Sequence, residues 1–164
     1  MNSHGRSAAP ALDQARVLVI GYGNPGRQDD GLGPAVAAEI EKLGWANLTV
    51  LDNYQLNIED AVDVADHDVV WFVDATKVGP SPFAVTDVAP ALVVDFTSHL
   101  VRPEVVLALC QRYYQKSPKA FLLGVRGFQF EFVEELTAAA ADNMRLTVSM
   151  LTNRIRTTHP PGLP

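Results

Sequence analysis

Apolar positions along this chain fall into short continuous runs separated by amphipathic stretches. Val17 to Gly21 is apolar throughout, as in a strand buried on both faces. Pro34 to Leu43 follows with helical spacing, placing Val36, Ile40 and Leu43 on one side. A second strand is expected at Leu48–Leu51, ending at Asp52. Asn57 suits the cap of a helix reaching Ala65, with Asp60 three residues on as an imperfect capping box. Val69–Val73 predicts a third strand ending at Asp74, and Phe83–Val88 a weaker alternating strand at an edge. Pro103 suits the first position of a helix to about Lys116. Ala120–Gly124 predicts a fifth strand, and Thr137–Arg156 a long last helix.

Alternating strands and helices predict a single three-layer α/β/α sandwich with a five-stranded, mostly parallel sheet. Residues 16–157 form the expected domain, with tails at 1–15 and 158–164. In the common strand order 2-1-3, ligands bind beyond the carboxyl ends of strands one and three, where the connections diverge. The loop after strand one carries Asp29 and Asp30, and strand three ends at Asp74. Carboxylates from two distant parts of the chain are thus expected in one crevice.

Composition narrows the partners. The net charge of -6 argues against nucleic acid or an anionic membrane surface as a partner. No apolar run reaches the roughly 18 residues of a membrane span. The N-terminal segment lacks the apolar centre of a signal peptide, so a cytoplasmic location is expected. Cys110 is the only cysteine, which leaves no internal disulfide and no thiolate cluster; a buried small hydrophobe is its expected role. Trp45 and Trp71 are expected to pack, and His67 to be a solvated loop residue.

The chemistry centres on Gly21-Tyr22-Gly23-Asn24-Pro25-Gly26-Arg27-Gln28-Asp29-Asp30-Gly31-Leu32-Gly33. Gly21, Gly23 and Gly26 match a dinucleotide fingerprint, and Asp52 ends strand two as a ribose-binding acid would. Against that reading, Pro25 removes an amide donor, and Asp29 and Asp30 bring negative charge to where phosphates would lie. The turn suits a cation better than an anion, and nucleotide binding is kept as the alternative. Asp30, Asp74 and His99, in the Thr97-Ser98-His99 segment before a helix, make an O,O,N set suited to zinc, nickel, iron or manganese. Each has a plainer role when taken alone: Asp29 or Asp30 as a helix cap, Asp74 as a turn former, His99 as a hydrogen-bonding loop residue. Gly31 and Gly33 are expected to let a bulky partner approach the acids.

Gly21-Tyr22-Gly23-Asn24, then Asp29-Asp30-Gly31-x-Gly33, resembles the signature of the hydrogenase maturation endopeptidases. The likeness continues through Phe72-Val73-Asp74-Ala75, Ser98-His99, Gly124 and Leu136-Thr137. The resemblance implies an endopeptidase, of aspartic or metal-dependent type, that removes the C-terminal extension of a nickel-iron hydrogenase large-subunit precursor after nickel insertion. It implies nickel carried by the substrate, another divalent metal being able to substitute, and contacts to it from Asp30, Asp74 and His99. Asp29, Asp30 and Asp74 are then the candidate catalytic acids, and a monomer is expected. The second acid of the loop is Glu in many relatives and Asp here, one methylene shorter. The aromatic stretch Gly127–Phe132 resembles the branch serving cytoplasmic, NAD-linked hydrogenases. A non-catalytic metal-binding maturation factor is the other alternative.

Overall fold

The computed structural model describes residues 15–92 and 100–158. The segment with Thr97, Ser98 and His99 lies outside the described residues, as does most of both expected tails. The strands are β1 (Val17–Tyr22), β2 (Leu48–Asn53), β3 (Val69–Thr76), β4 (Phe83–Asp87) and β5 (Lys119–Arg126). The helices are α1 (Leu32–Glu41), α2 (Asp60–Ala65), α3 (Pro103–Tyr114) and α4 (Ala138–Thr158). The strands form one sheet in the order β2-β1-β3-β5-β4. Neighbours run parallel except β4, which is antiparallel to β5. The link from β3 to β4 is too short for a parallel crossover, which needs a dozen or more residues, so the chain re-enters the sheet from the same end.

Strand alternation divides the core into two layers. Val17 and Val19 of β1 and Trp71 and Val73 of β3 pack with Leu32, Val36 and Ile40 of α1 and Leu151 and Ile155 of α4. Leu18, Ile20, Val70 and Phe72 point the other way, onto Val64 of α2 and Val106, Leu107 and Cys110 of α3. Each such fully buried aliphatic side chain contributes about 1.5–3 kcal/mol. Trp71 stacks on Phe121 with ring centroids 4.5 Å apart, and Cys110 is buried, as expected of both. No described helix is long and apolar enough to cross a membrane.

Two details position the site. The register of β1 on β3 ends at Gly21 opposite Val73, whereas β3 continues beside β5 from Asp74 to Thr76. Asp74 therefore does not end its strand, as the sequence reading has it. It sits one step past the last β1 partner, where β1 has begun to turn away and a crevice opens. The turn itself, Pro25–Gly31, is a 3-10 segment broken by a kink at Arg27 and Gln28, where Gln28 takes φ 52°, and no periodicity signalled it. Asn24 caps it by accepting the Gly26 N–H at 2.8 Å, and Pro25 starts it at no loss of a needed donor. Helix α1 follows at Leu32, earlier than expected, because Pro34 still falls among the first amides, which have no partner within a helix.

Candidate active site

A cavity of about 380 Å³ opens at the carboxyl ends of β1 and β3. Tyr22, Asp30, Tyr54, Asp74, Arg102 and Glu104 are among its walls. Asp30 comes from the 3-10 segment and Asp74 from β3, so the structure brings these two sequence-predicted acids together. His99 lies outside the described residues; Leu100 and Val101, which follow it, line the cavity. Among the described residues no three His, Cys, Asp or Glu side chains group as a metal set.

Asp74 is the group whose acidity is most altered. Burial pushes its pKa up to about 7, and the negative charge of Asp30 adds to the effect. The Ala75 N–H and the Tyr22 hydroxyl donate to the carboxylate and oppose the rise. Tyr22 is itself driven far above an ordinary phenol, first by burial, then by the charges of Asp74 and Glu104. It remains a neutral hydroxyl that donates to Asp74. A carboxyl group that exchanges its proton near neutrality, in a cleft, is suited to acid–base chemistry. Sequence reading missed Tyr22 as a partner; the signal was its place at the last position of β1, level with the crevice.

Asp30 Oδ2 accepts the Asn24 N–H at 2.9 Å. That bond answers the nucleotide alternative. The loop amides that would cradle a pyrophosphate are already bonded within the chain: Asn24 to Asp30, Gly26 to the Asn24 side chain, Arg27 to the Asn24 carbonyl. The cradle holds its own carboxylate. Asn24 also donates from Nδ2 to the Tyr54 hydroxyl at 2.7 Å, tying the loop to the chain beyond β2.

Asp29 is placed differently from its neighbour. It is fully buried and does not line the cavity. Its Oδ2 accepts from Phe128 N at 2.7 Å, Gln129 N at 3.1 Å and Thr137 Oγ1 at 2.8 Å; its Oδ1 accepts Thr137 N at 2.8 Å. Burial alone would raise its pKa, but these donors outweigh it and hold the carboxyl below its ordinary range. Thr137 Oγ1 in turn accepts Ala140 N at the start of α4. The structure thus places Asp29, expected as a catalytic acid, away from the cavity, in the surroundings of an anchor that ties the 3-10 segment to the β5–α4 connection.

The glycine expectation changes too. A side chain at Gly33 would come within 2.3 Å of the Tyr22 carbonyl oxygen and 2.6 Å of that of Val73. At Gly31 it would meet Pro25 at 3.0 Å. Both glycines allow the chain to pack on itself, Gly33 by letting α1 close on β1 and β3 and Gly31 by letting the loop close on Pro25, rather than making room for a partner. His67 also departs from the solvated role expected for it: its Nδ1 lies 2.6 Å from the Asp63 carbonyl oxygen and its Nε2 2.8 Å from Thr49 Oγ1, bridging α2 and β2.

Two further groups complete the wall. Arg102 and Glu104 form an ion pair at 3.5 Å at the entrance to α3. Glu104 Oε2 is buried without a hydrogen-bond partner among the described residues. A buried acceptor left unpaired costs about 1–3 kcal/mol, a cost that a donor entering the cavity would remove.

No protein-family model and no curated protein matches the chain. Solved structures do. The NiFe hydrogenase maturation protease HycI from Thermococcus kodakarensis superposes with a TM-score of 0.72 at 20% identity, over 87% of this chain and 93% of that one. The hydrogenase maturating endopeptidase HybD from E. coli gives 0.68 at 20% identity, with the same coverage of 87% and 93%. An endopeptidase from Escherichia coli gives 0.67 at 23% identity, again over 87% and 93%. The five-stranded α/β/α fold described above is thus the fold of hydrogenase maturation proteases, shared over most of both chains.

Proposed function

We propose that this chain is an endopeptidase that removes the C-terminal extension of a nickel-iron hydrogenase large-subunit precursor after nickel insertion. The observation that carries the reading is the pairing of Asp30 and Asp74 on one cavity, at the carboxyl ends of adjacent parallel strands. The fold shared with maturation proteases supports it. The sequence likeness supports the cytoplasmic, NAD-linked branch, and we take the enzyme to act in the cytoplasm as a monomer.

Nickel enters as part of the substrate. Asp30, Asp74 and His99 are the residues that would contact it, through hard-to-borderline O and N donors. Such a contact fixes the precursor's scissile segment in the crevice, and placement of this kind can supply several kcal/mol of a barrier reduction, roughly 7–11 at the extreme. Asp74 holds or releases a proton near neutrality, and Tyr22 fixes the direction of its carboxylate. Glu104 Oε2 offers an acceptor to a substrate N–H. Asp29 keeps the loop in place and touches no substrate.

The test compares nickel-loaded and nickel-free precursor with the wild-type chain and with Asp74→Asn and His99→Ala, reading the released C-terminal peptide by mass spectrometry. Cleavage of the loaded precursor alone, lost in both variants, is expected. Binding without cleavage would assign the chain to a non-catalytic maturation factor. Equal cleavage of both precursors would reject nickel as the recognition element.

A further inference from the structure

The connection between β5 and α4 presents a second feature, outside the cavity. Phe128, Phe130 and Phe132 alternate along it, and each ring carries a cation from a different part of the chain. The Arg126 guanidinium lies 5.6 Å from the Phe128 centroid, the Lys77 ammonium 4.8 Å from Phe130, and the Arg27 guanidinium 5.3 Å from Phe132. Phe132 is 86% exposed and Phe128 46%, unusual for rings outside a core. None of the three cations forms an ion pair among the described residues. Arg126 Nε, moreover, is buried without an acceptor among them. Three cations without an ion pair among the described residues, each set against a ring of one connection, stand out in a chain of net charge -6. Glu131, Glu134 and Glu135 of the same connection are exposed and do not pair with them.

We infer that this aromatic and cationic face docks an acidic, apolar-containing polypeptide segment. Arg27 Nη2 donates to the Phe130 carbonyl oxygen at 3.3 Å and Arg126 Nη1 to that of Gly79 at 3.0 Å, which holds each guanidinium over its ring and leaves its other N–H groups to a carboxylate. The rings supply apolar area between the charges, as interface anchors do. Arg27 also lines the cavity, so the face is continuous with the active site. On the function proposed above, the occupant is an acidic segment of the precursor protein, held beside the cavity while the extension is cut. The anchor Asp29 bears directly on this face, since its carboxylate accepts the backbone N–H groups of Phe128 and Gln129.

The experiment uses a fluorescein-labelled peptide alternating aspartate and leucine, with a lysine–leucine peptide as control, read by anisotropy. The acidic peptide should bind and the control should not, with affinity falling as salt rises. Lys77→Glu and Phe132→Ala should each weaken binding about fivefold to tenfold, while thermal melting stays at the wild-type value. With precursor as substrate, Lys77→Glu should raise KM and leave kcat unchanged. Equal binding of both peptides, or full binding by both variants, would overturn the inference. A wild-type chain that binds the acidic peptide but leaves the precursor uncut would count against the endopeptidase reading alone.

Discussion

Replacing Asp29 with Asn tests whether the buried acid is an anchor or a catalyst. The substitution keeps shape and removes charge. An amide has one oxygen, which would take the Oδ2 position and its three donors, Phe128 N, Gln129 N and Thr137 Oγ1. The NH2 group would then face Thr137 N–H, donor against donor, where Oδ1 now accepts at 2.8 Å. One buried amide left without an acceptor costs about 1–3 kcal/mol. The three surviving bonds lose charge assistance, about 0.5 kcal/mol each. The sum is about 2.5–4.5 kcal/mol, or roughly 5–18 °C in Tm for a domain of this size. The sign of the pH dependence follows from the lowered folded-state pKa. The carboxylate's contribution is full above the unfolded-state value and is lost as pH falls through the folded one. Wild type should thus lose stability on acidification in a way that Asp29→Asn does not. Urea unfolding followed by circular dichroism, across acid to neutral pH, measures both effects. A variant with wild-type stability and selectively lost cleavage would refute the reasoning and restore Asp29 as a reacting group.

Asp74 predicts the opposite slope. Its folded pKa of about 7 is raised, so its contribution is full below the unfolded-state value and is lost as pH rises through 7. In chelator-treated protein, Asp74→Asn should therefore gain stability over wild type on the alkaline side; a carboxyl titration in the ordinary range, seen by NMR, would contradict this. Tyr22→Phe removes a donor that lowers the Asp74 pKa, and should raise it further by about one unit; an unchanged titration would show that the hydroxyl does not act on Asp74. Gly33→Ala should destabilise by about 3 kcal/mol or more, because its Cβ would lie 2.3 Å from the Tyr22 carbonyl oxygen. A denaturation midpoint equal to wild type would show that α1 moves off the sheet without cost.

Much of this fold was legible along the chain because its determinants are local. Val17–Ile20 and Val69–Val73 are apolar at consecutive positions, short and rich in β-branched residues, as strands covered on both faces are. Pro103 marks the start of α3 in sequence and in structure. The adjacency of β1 and β3, and with it the meeting of Asp30 and Asp74, followed from topology rules that need only element order. What escaped was set by distant partners. Nothing near Asp29 shows that its donors are Phe128, Gln129 and Thr137. Asp29 and Asp30 look equivalent in sequence, and only the 3-10 geometry turns one inward and leaves the other on the cavity. Gly33 resembled an approach route for a ligand because a missing side chain does not say which neighbour needs the space. Arg102 and Glu104 drew no attention, since an ion pair at a helix entrance has no pattern of its own.

The span of the Asp29 anchor also bears on how the protein comes into being. The carboxylate and its first donor, Phe128 N, are 99 residues apart in sequence, and it lies 108 from its donors on Thr137. Chains emerge N-terminus first, at about 5–20 residues per second, so the acid is made several seconds before its donors. Throughout that interval the 3-10 segment has no tether to the far end of the domain, and Asp29 remains hydrated. Ring closure over such a length is entropically unfavourable until β5 and α4 have docked. A nascent chain can therefore assemble β1, β2 and β3 early and still lack an ordered cavity. An incomplete translation product that lacks the last helix therefore also lacks the tether that fixes the segment carrying Asp30.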